Sequence, residues 1–204
     1  MSNSSRKNVA FRLMLFSAVC IVTLVACLAQ SRTGDSELVL RRFAAGMVDA
    51  TDLPFGWGGR ESSSPDRPGS VGQSISYYGA GPGVTHVNVR HRLFVYPTKE
   101  ASAAGYEQAV AESIPPAYSD KWVAPPELQI ESQADQFIAR CLPAMINGAP
   151  AYTCVVIGQY GAMLSELSAG TVRDPWLNMS QFRRVVERVD AKMYQASQLQ
   201  PVGP

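Results

Sequence analysis

The chain holds two histidines, His86 and His91, and four cysteines, Cys20, Cys27, Cys141 and Cys154, so nucleophilic or metal chemistry would have to be assembled from few parts. Both histidines fall in an alternating run, Thr85 to Tyr96. Val87, Val89, His91, Leu93 and Val95 share one face of this predicted strand, and His86, Asn88, Arg90 and Arg92 share the other. Five residues apart on a strand, the histidines point to opposite faces and cannot converge on one metal ion. A serine nucleophile would need one of them as its base, and no Gly-x-Ser-x-Gly elbow is present. Gly79, Ala80, Gly81, Pro82 and Gly83 have the glycine density of a phosphate loop. Such a loop must open a helix whose N-terminus meets the phosphate, whereas here a strand follows. Asp and Glu number 17, and no pair of them stands out as a hydrolytic acid and base. The expectation is a non-enzymatic chain without catalytic residues, metal or cofactor, with a hydrolase using scattered carboxylates as the alternative. Trp57, Tyr77 and Tyr78, near the glycine loop, are the candidate lining of a ligand pocket or partner surface.

Cys141 and Cys154 do carry chemistry. The segment from Phe137 to Tyr160 is apolar and β-favouring on both sides of Asn147 and Gly148, a strong hairpin signal. With those two residues as the turn, Cys141 falls opposite Cys154. Cross-strand neighbours approach to ~4.5 to 5.5 Å between Cβ atoms, near the separation a disulfide needs, and a bond between them is predicted. Pro143 and Pro150 cannot donate to a ladder, so the tip is expected to be a wider loop. Two cysteines without a histidine pair nearby do not make a four-ligand metal site.

The remaining cysteines lie in the stretch that decides where the domain works. Arg6, Lys7 and Arg12 supply a positive start, Leu13 to Leu24 is apolar and uncharged, and Leu24, Val25, Ala26 and Cys27 close it. These four residues resemble the lipobox of a bacterial lipoprotein signal: an aliphatic residue, a small or aliphatic residue, Ala or Gly, then the lipidated cysteine. The resemblance implies that Cys27 becomes the first residue of the mature chain and carries the lipid. Cys20 follows Val19, which is not the small residue the cut requires. An uncleaved single-pass anchor is a second reading and ordinary cleaved secretion a third. Leu13 to Ala29 is 17 residues, which as a helix spans ~25 Å, just short of a ~30 Å hydrocarbon core. The first two readings put the basic end in the cytoplasm and Ser31 onward outside, on the outer face of the cytoplasmic membrane or in the periplasm.

Removing residues 1–26 leaves 178, enough for one domain with its own core. The formal net charge is +1, and the basic residues are scattered among nearly equal acidic ones, so nothing here recruits nucleic acid. Residues 27–36 read as a tether, 37–197 as a single extracytoplasmic domain and 198–204 as a tail. A helix is predicted from about Ser36 to Val48 on Leu40, Phe43 and Met47, with Thr33 or Asp35 as its cap. The run Asp52, Leu53, Pro54, Phe55, Gly56, Trp57 resembles one in bacterial exported proteins of unassigned role, and Trp57 is read as anchoring a turn on the core. Gly58 to Gly72 reads as loop and Ser74 to Tyr78 as a strand. A helix from about Lys99 to Ser113, capped by Thr98, buries Ala103, Tyr106, Val110 and Ile114. Trp122 to Ile130 reads as loop with a short edge strand. Phe137 to Leu142, Tyr152 to Ile157 and Ala162 to Ser168 form a meander. A last helix carries Met179, Phe182, Val186, Val189 and Met193 as its apolar stripe, with Lys192 outside. Asn178, Met179 and Ser180 match an N-glycosylation acceptor.

The expected fold is α+β, an antiparallel sheet of about five to six strands covered by helices. From about Leu53 to Met193 this element order resembles the PsbP-like α/β/α sandwich family, to which photosystem accessory proteins belong. That resemblance implies an accessory or ligand-binding module. The functional expectation is therefore a membrane-tethered lipoprotein acting as an accessory or interaction domain, a peripheral subunit of a membrane complex. A small-molecule binding or sensing domain is the alternative.

Overall fold

A computed structural model describes residues 36–54, 56–79, 88–146, 148–173 and 177–200. Residues 41–199 gather into one compact unit. Helical backbone runs over 36–46 (α1). It is followed by strands β1 (Trp57–Ser63), β2 (Val71–Gly79) and β3 (Asn88–Val95), helix α2 (Lys99–Ser113), strands β4 (Gln136–Ile146), β5 (Ala149–Tyr160) and β6 (Met163–Val172), and helix α3 (Met179–Ser197). The strands form one six-stranded sheet in the order β1-β2-β3-β6-β5-β4, with every neighbouring pair antiparallel. Two meanders, β1-β2-β3 and β4-β5-β6, thus lie side by side, joined through β3 and β6.

β1 corrects the expectation that Gly58 to Gly72 is loop. Its glycines and serines are poor strand formers, yet Trp57 through Ser63 pair with Gly79 through Ser74. Cross-strand pairing outweighs local preference, as it often does in sheets. The chain leaves α1 sooner than its periodicity predicts, at residue 46 instead of Val48. Asp49 then caps a short 3-10 turn: its carboxylate accepts from the Thr51 N–H at 2.8 Å while Asp52 accepts from the Asp49 N–H at 2.8 Å. Phe43, Met47 and Val48 are buried, whereas Leu40 is exposed.

Period-two alternation gives the sheet two faces. The first presents Val89, His91 and Leu93 of β3 with Met163 and Leu167 of β6, all fully buried or nearly so. On this side α3 buries Phe182, Val185, Val186, Val189, Met193 and Ala196. Asn178, read as a glycosylation acceptor, spends its side chain as the α3 cap, accepting from the Gln181 N–H at 2.9 Å. On the second face α2 covers Phe94, Ile157 and Leu164 with Tyr106 and Ala109, beside Tyr96. The buried line of α2 is Ser102, Gly105, Tyr106 and Ala109; Ala103 and Val110 are only half-buried. The helix sits one residue round from the predicted stripe because Tyr96 lies against Gly105, where a Cβ would collide with its ring and hydroxyl. Thr98 caps α2 as expected, accepting from the Ala101 N–H at 3.1 Å.

The β4–β5 hairpin brings Cys141 opposite Cys154, bonded and fully buried, with Cα atoms 4.1 Å apart. The expected wider tip is not found: the ladder continues to Ile146↔Ala149, with Gly148 at φ 76°. Both prolines are tolerated for one reason. The Cys141 N–H and C=O go to Val123 on the far side, so Cys141↔Cys154 is a non-hydrogen-bonded pair. Counting two along, Pro143↔Tyr152 and Met145↔Pro150 fall at the same kind of position, where the missing N–H is not needed between β4 and β5. The bridge between Val123 and Cys141 is all the edge strand that the Trp122 to Ile130 segment makes.

The crosslink closes a short loop in the unfolded chain, for which the loop-closure entropy is ~3 kcal/mol. A Cys141→Ala/Cys154→Ala variant is expected to lose about that much in urea unfolding. Reductant should then weaken the parent and leave the variant unchanged; equal midpoints in oxidised parent and variant would refute this.

Candidate functional site

α2 covers only the β3, β6 and β5 part of the second face. Over β1, β2 and β3 lies a groove of about 410 Å³ lined by Glu61, Ser62, Ser63, Pro65, Ser74, Ser76, Arg90 and Arg92. Strand register explains its shape. One cross-strand row reads Glu61, Ser76, Arg90, and the next reads Ser63, Ser74, Arg92, Glu166. Small serines on the middle strand form a floor between longer side chains on the flanking strands. One end is closed by the 64–70 loop, where the Pro65 carbonyl packs so tightly on Gly72 that no Cβ would fit.

Behind the groove the charges are paired. Glu166, 3% exposed, meets Arg67 at 2.6 Å and Arg92 at 2.6 Å, and Arg67 also reaches Glu112 at 3.0 Å. Burial pushes the Glu166 carboxyl up from its ordinary range, and Arg92 and Arg67 oppose that shift. Arg67 is itself 5% exposed and lies over the Phe94 ring at 5.0 Å. Within the groove the pairing is incomplete. Arg90 Nε donates to Ser76 Oγ at 3.2 Å and its guanidinium forms no ion pair among the described residues. Glu61 accepts from the Tyr78 hydroxyl at 2.7 Å, which raises the Tyr78 pKa, and it too has no cationic partner there. The Ser74 hydroxyl, on a residue 5% exposed, makes no hydrogen bond among the described residues.

The aromatic residues predicted to line one site do not come together. Tyr77 is buried on the first face, its hydroxyl 3.5 Å from the Val48 carbonyl, whereas Tyr78 stands on the groove face. Adjacent strand residues alternate, so the two cannot share a pocket. Trp57 is half-buried at the start of β1, opposite Gly79. Cys27, His86 and positions 80–83 of the glycine loop lie outside the described residues.

His91 is fully buried: the Val48 N–H donates to Nδ1 at 3.1 Å, and Nε2 lies 2.9 Å from Ser165 Oγ. Since Nδ1 accepts, the proton sits on Nε2, and burial lowers the pKa to about 3, assisted by Lys192. Lys192, expected outside, bridges Asp49 at 2.8 Å and Asp52 at 2.5 Å. Its ammonium is the main reason the Asp49 pKa falls to about 2, so the Asp49 carboxylate stays charged and has no proton to give. Asp190, also missed, is buried and accepts from the Tyr160 hydroxyl at 2.7 Å, the Gln133 N–H at 3.1 Å and the Ser132 hydroxyl. It ties α3 to the end of β5 and to the segment before β4.

A second concavity of about 360 Å³ lies where Tyr106, Leu128, Ile130 and Phe137 meet, with Arg140 at its rim. The first groove is where charged and hydroxyl side chains of three neighbouring strands converge, and it is taken as the candidate site. Among the described residues no three His, Cys, Asp or Glu side chains are placed to hold a metal ion, and no helix is long and apolar enough to cross a membrane. Compared with models of known protein families, with curated proteins and with solved structures, the chain finds no match.

Proposed function

We propose that this chain is an exported lipoprotein, cleaved before Cys27 and lipidated on it, whose domain works outside the cytoplasmic membrane as a non-enzymatic accessory or interaction module, a peripheral subunit of a membrane complex. The observation that carries the export reading is the buried Cys141–Cys154 bond. Such bonds persist in oxidising compartments and are rare in the cytosol, which agrees with a signal ending in Leu24, Val25, Ala26 and Cys27. The interaction reading draws on the free end of the β4–β5 hairpin. Pro143, Ala144, Met145, Ala149 and Pro150 are all exposed there, Met145 to 67%, and clustered exposed apolar residues mark contact surfaces.

The test is the intact mass of the protein extracted from its native membranes beside that of Cys27→Ala. A chain starting at Cys27 with added acyl mass, lost in the variant, is the expected result. A full-length unmodified chain still in the membrane would overturn lipidation and make Leu13 to Ala29 the anchor. A second reading, a small-molecule binding domain, is supported by the groove and its partly unpaired charges.

A further inference from the structure

The groove combines opposite charges that its own geometry keeps apart. Glu61 on β1 and Arg90 on β3 lie in one cross-strand row with Ser76 between them. Two strand spacings separate their backbones by ~10 Å, and no ion pair joins them among the described residues. Each is anchored by a neutral neighbour instead, Glu61 by the Tyr78 hydroxyl and Arg90 by Ser76. The Ser74 hydroxyl lies in the floor and makes no hydrogen bond among the described residues, on a residue that is otherwise buried. Arg92 is held back by Glu166 but remains 38% exposed at the same wall. A purely anionic ligand would meet repulsion from Glu61, and a purely cationic one would meet Arg90 and Arg92. A ligand carrying both charges satisfies the two walls together, and its polar middle meets the serine floor.

We propose that the groove of β1, β2 and β3 binds a small dipolar ligand, with an oxyanion at Arg90 and Arg92, an ammonium at Glu61, and hydrogen bonds from Ser74 and Ser76. This rests on the groove being a ligand site, the second reading above, and not on the lipid anchor. A phosphate ester of an amino alcohol has this chemistry, whether free in solution or as the headgroup of a lipid. The guanidinium fork suits the oxyanion, and a carboxylate held by a tyrosine hydroxyl suits the ammonium.

The experiment is calorimetric titration of the full-length chain in detergent with O-phosphoethanolamine, inorganic phosphate and a short-chain phosphatidylethanolamine. The parent is compared with Glu61→Gln, Arg90→Gln and Ser74→Val. Saturable binding of O-phosphoethanolamine is expected, weakened at least tenfold by either charge substitution, with thermal unfolding unchanged since both side chains are exposed. Phosphate should respond to Arg90→Gln and not be weakened by Glu61→Gln. Ser74→Val, which fills the floor, should weaken every ligand. Binding of the lipid as tightly as the free ester would make a headgroup the source, and its exclusion would make a free solute the source. Binding that ignores Glu61→Gln overturns the dipolar assignment, and no saturable binding at all overturns the groove as a ligand site. Neither result bears on the mass of the mature chain, so failure of the anchor reading and failure of this one are separable.

Discussion

Truncating Glu166 to alanine is expected to lower the unfolding free energy by about 3 to 5 kcal/mol, because it removes the shared partner of two guanidiniums. Arg67 is the reason for the size of the effect. It is 5% exposed, and among the described residues its Nη1 is buried without a hydrogen-bond partner and Glu112, which is half exposed, is the one carboxylate it keeps without Glu166. A buried charge that loses its counter-ion retains the full cost of its desolvation. Arg92, at 38% exposure, can turn to water and adds less. The Arg67→Met/Glu166→Leu double variant removes both buried charges at similar volume and should recover much of the loss, since apolar replacement of a buried pair is often neutral. Urea unfolding of the three proteins decides the matter. A Glu166→Ala protein within about 1 kcal/mol of the parent would show that the pair contributes no more than a surface one.

Acid should weaken the fold through His91 well before it protonates most carboxylates. The folded pKa is about 3 against an ordinary value of 6.5, so between these values the unfolded chain binds a proton that the folded chain refuses. Stability is independent of this residue above pH 6.5, falls as pH drops, and is lower by about 2 kcal/mol at pH 5 and about 4 kcal/mol near pH 3. Protonation would set an N–H at Nδ1 against the Val48 N–H that it now accepts, within reach of the Lys192 charge. Asp49, lowered to about 2, also loses stabilisation as pH falls, but only below about pH 4. The contribution of His91 is isolated by His91→Gln, which is expected to be less stable at pH 7 and yet to have a shallower acid slope, by close to one proton between pH 6 and pH 4. Parallel slopes, or a His91 ring that titrates near 6.5 in the folded protein by NMR, would refute the assignment.

Alternation made much of the sheet legible. The faces of β3, the Cys141–Cys154 register and the stripe of α3 follow from period and turn residues, because each is decided by neighbours in sequence. β1 was hidden, since its run of Gly, Arg, Glu and Ser has no apolar face of its own and is a strand only because β2 pairs with it. The groove was half visible for the same reason. Alternation puts Arg90 and Arg92 on a wet face, but nothing in the run around Glu61 marks a strand that would lie opposite them. Arg67 and Glu166 are 99 residues apart, and no local pattern connects them. Helical periodicity places Lys192 outside because its partners arrive from elsewhere, on the turn after α1.

The junction of the two meanders has a consequence for how the chain reaches its fold. Four of the five strand pairings join neighbours in sequence, and only β3 with β6 joins distant ones, from Val95↔Met163 to Val89↔Ala169. Local hairpins can form early, while this seam has to search for its alignment across the intervening α2, β4 and β5. A slip of one residue would turn Glu166 towards the apolar side with Leu93, where no guanidinium waits. Arg92 and Glu166 are directly opposite in the native alignment, so a misaligned seam would forfeit their ion pair and leave the carboxylate without its counter-ions.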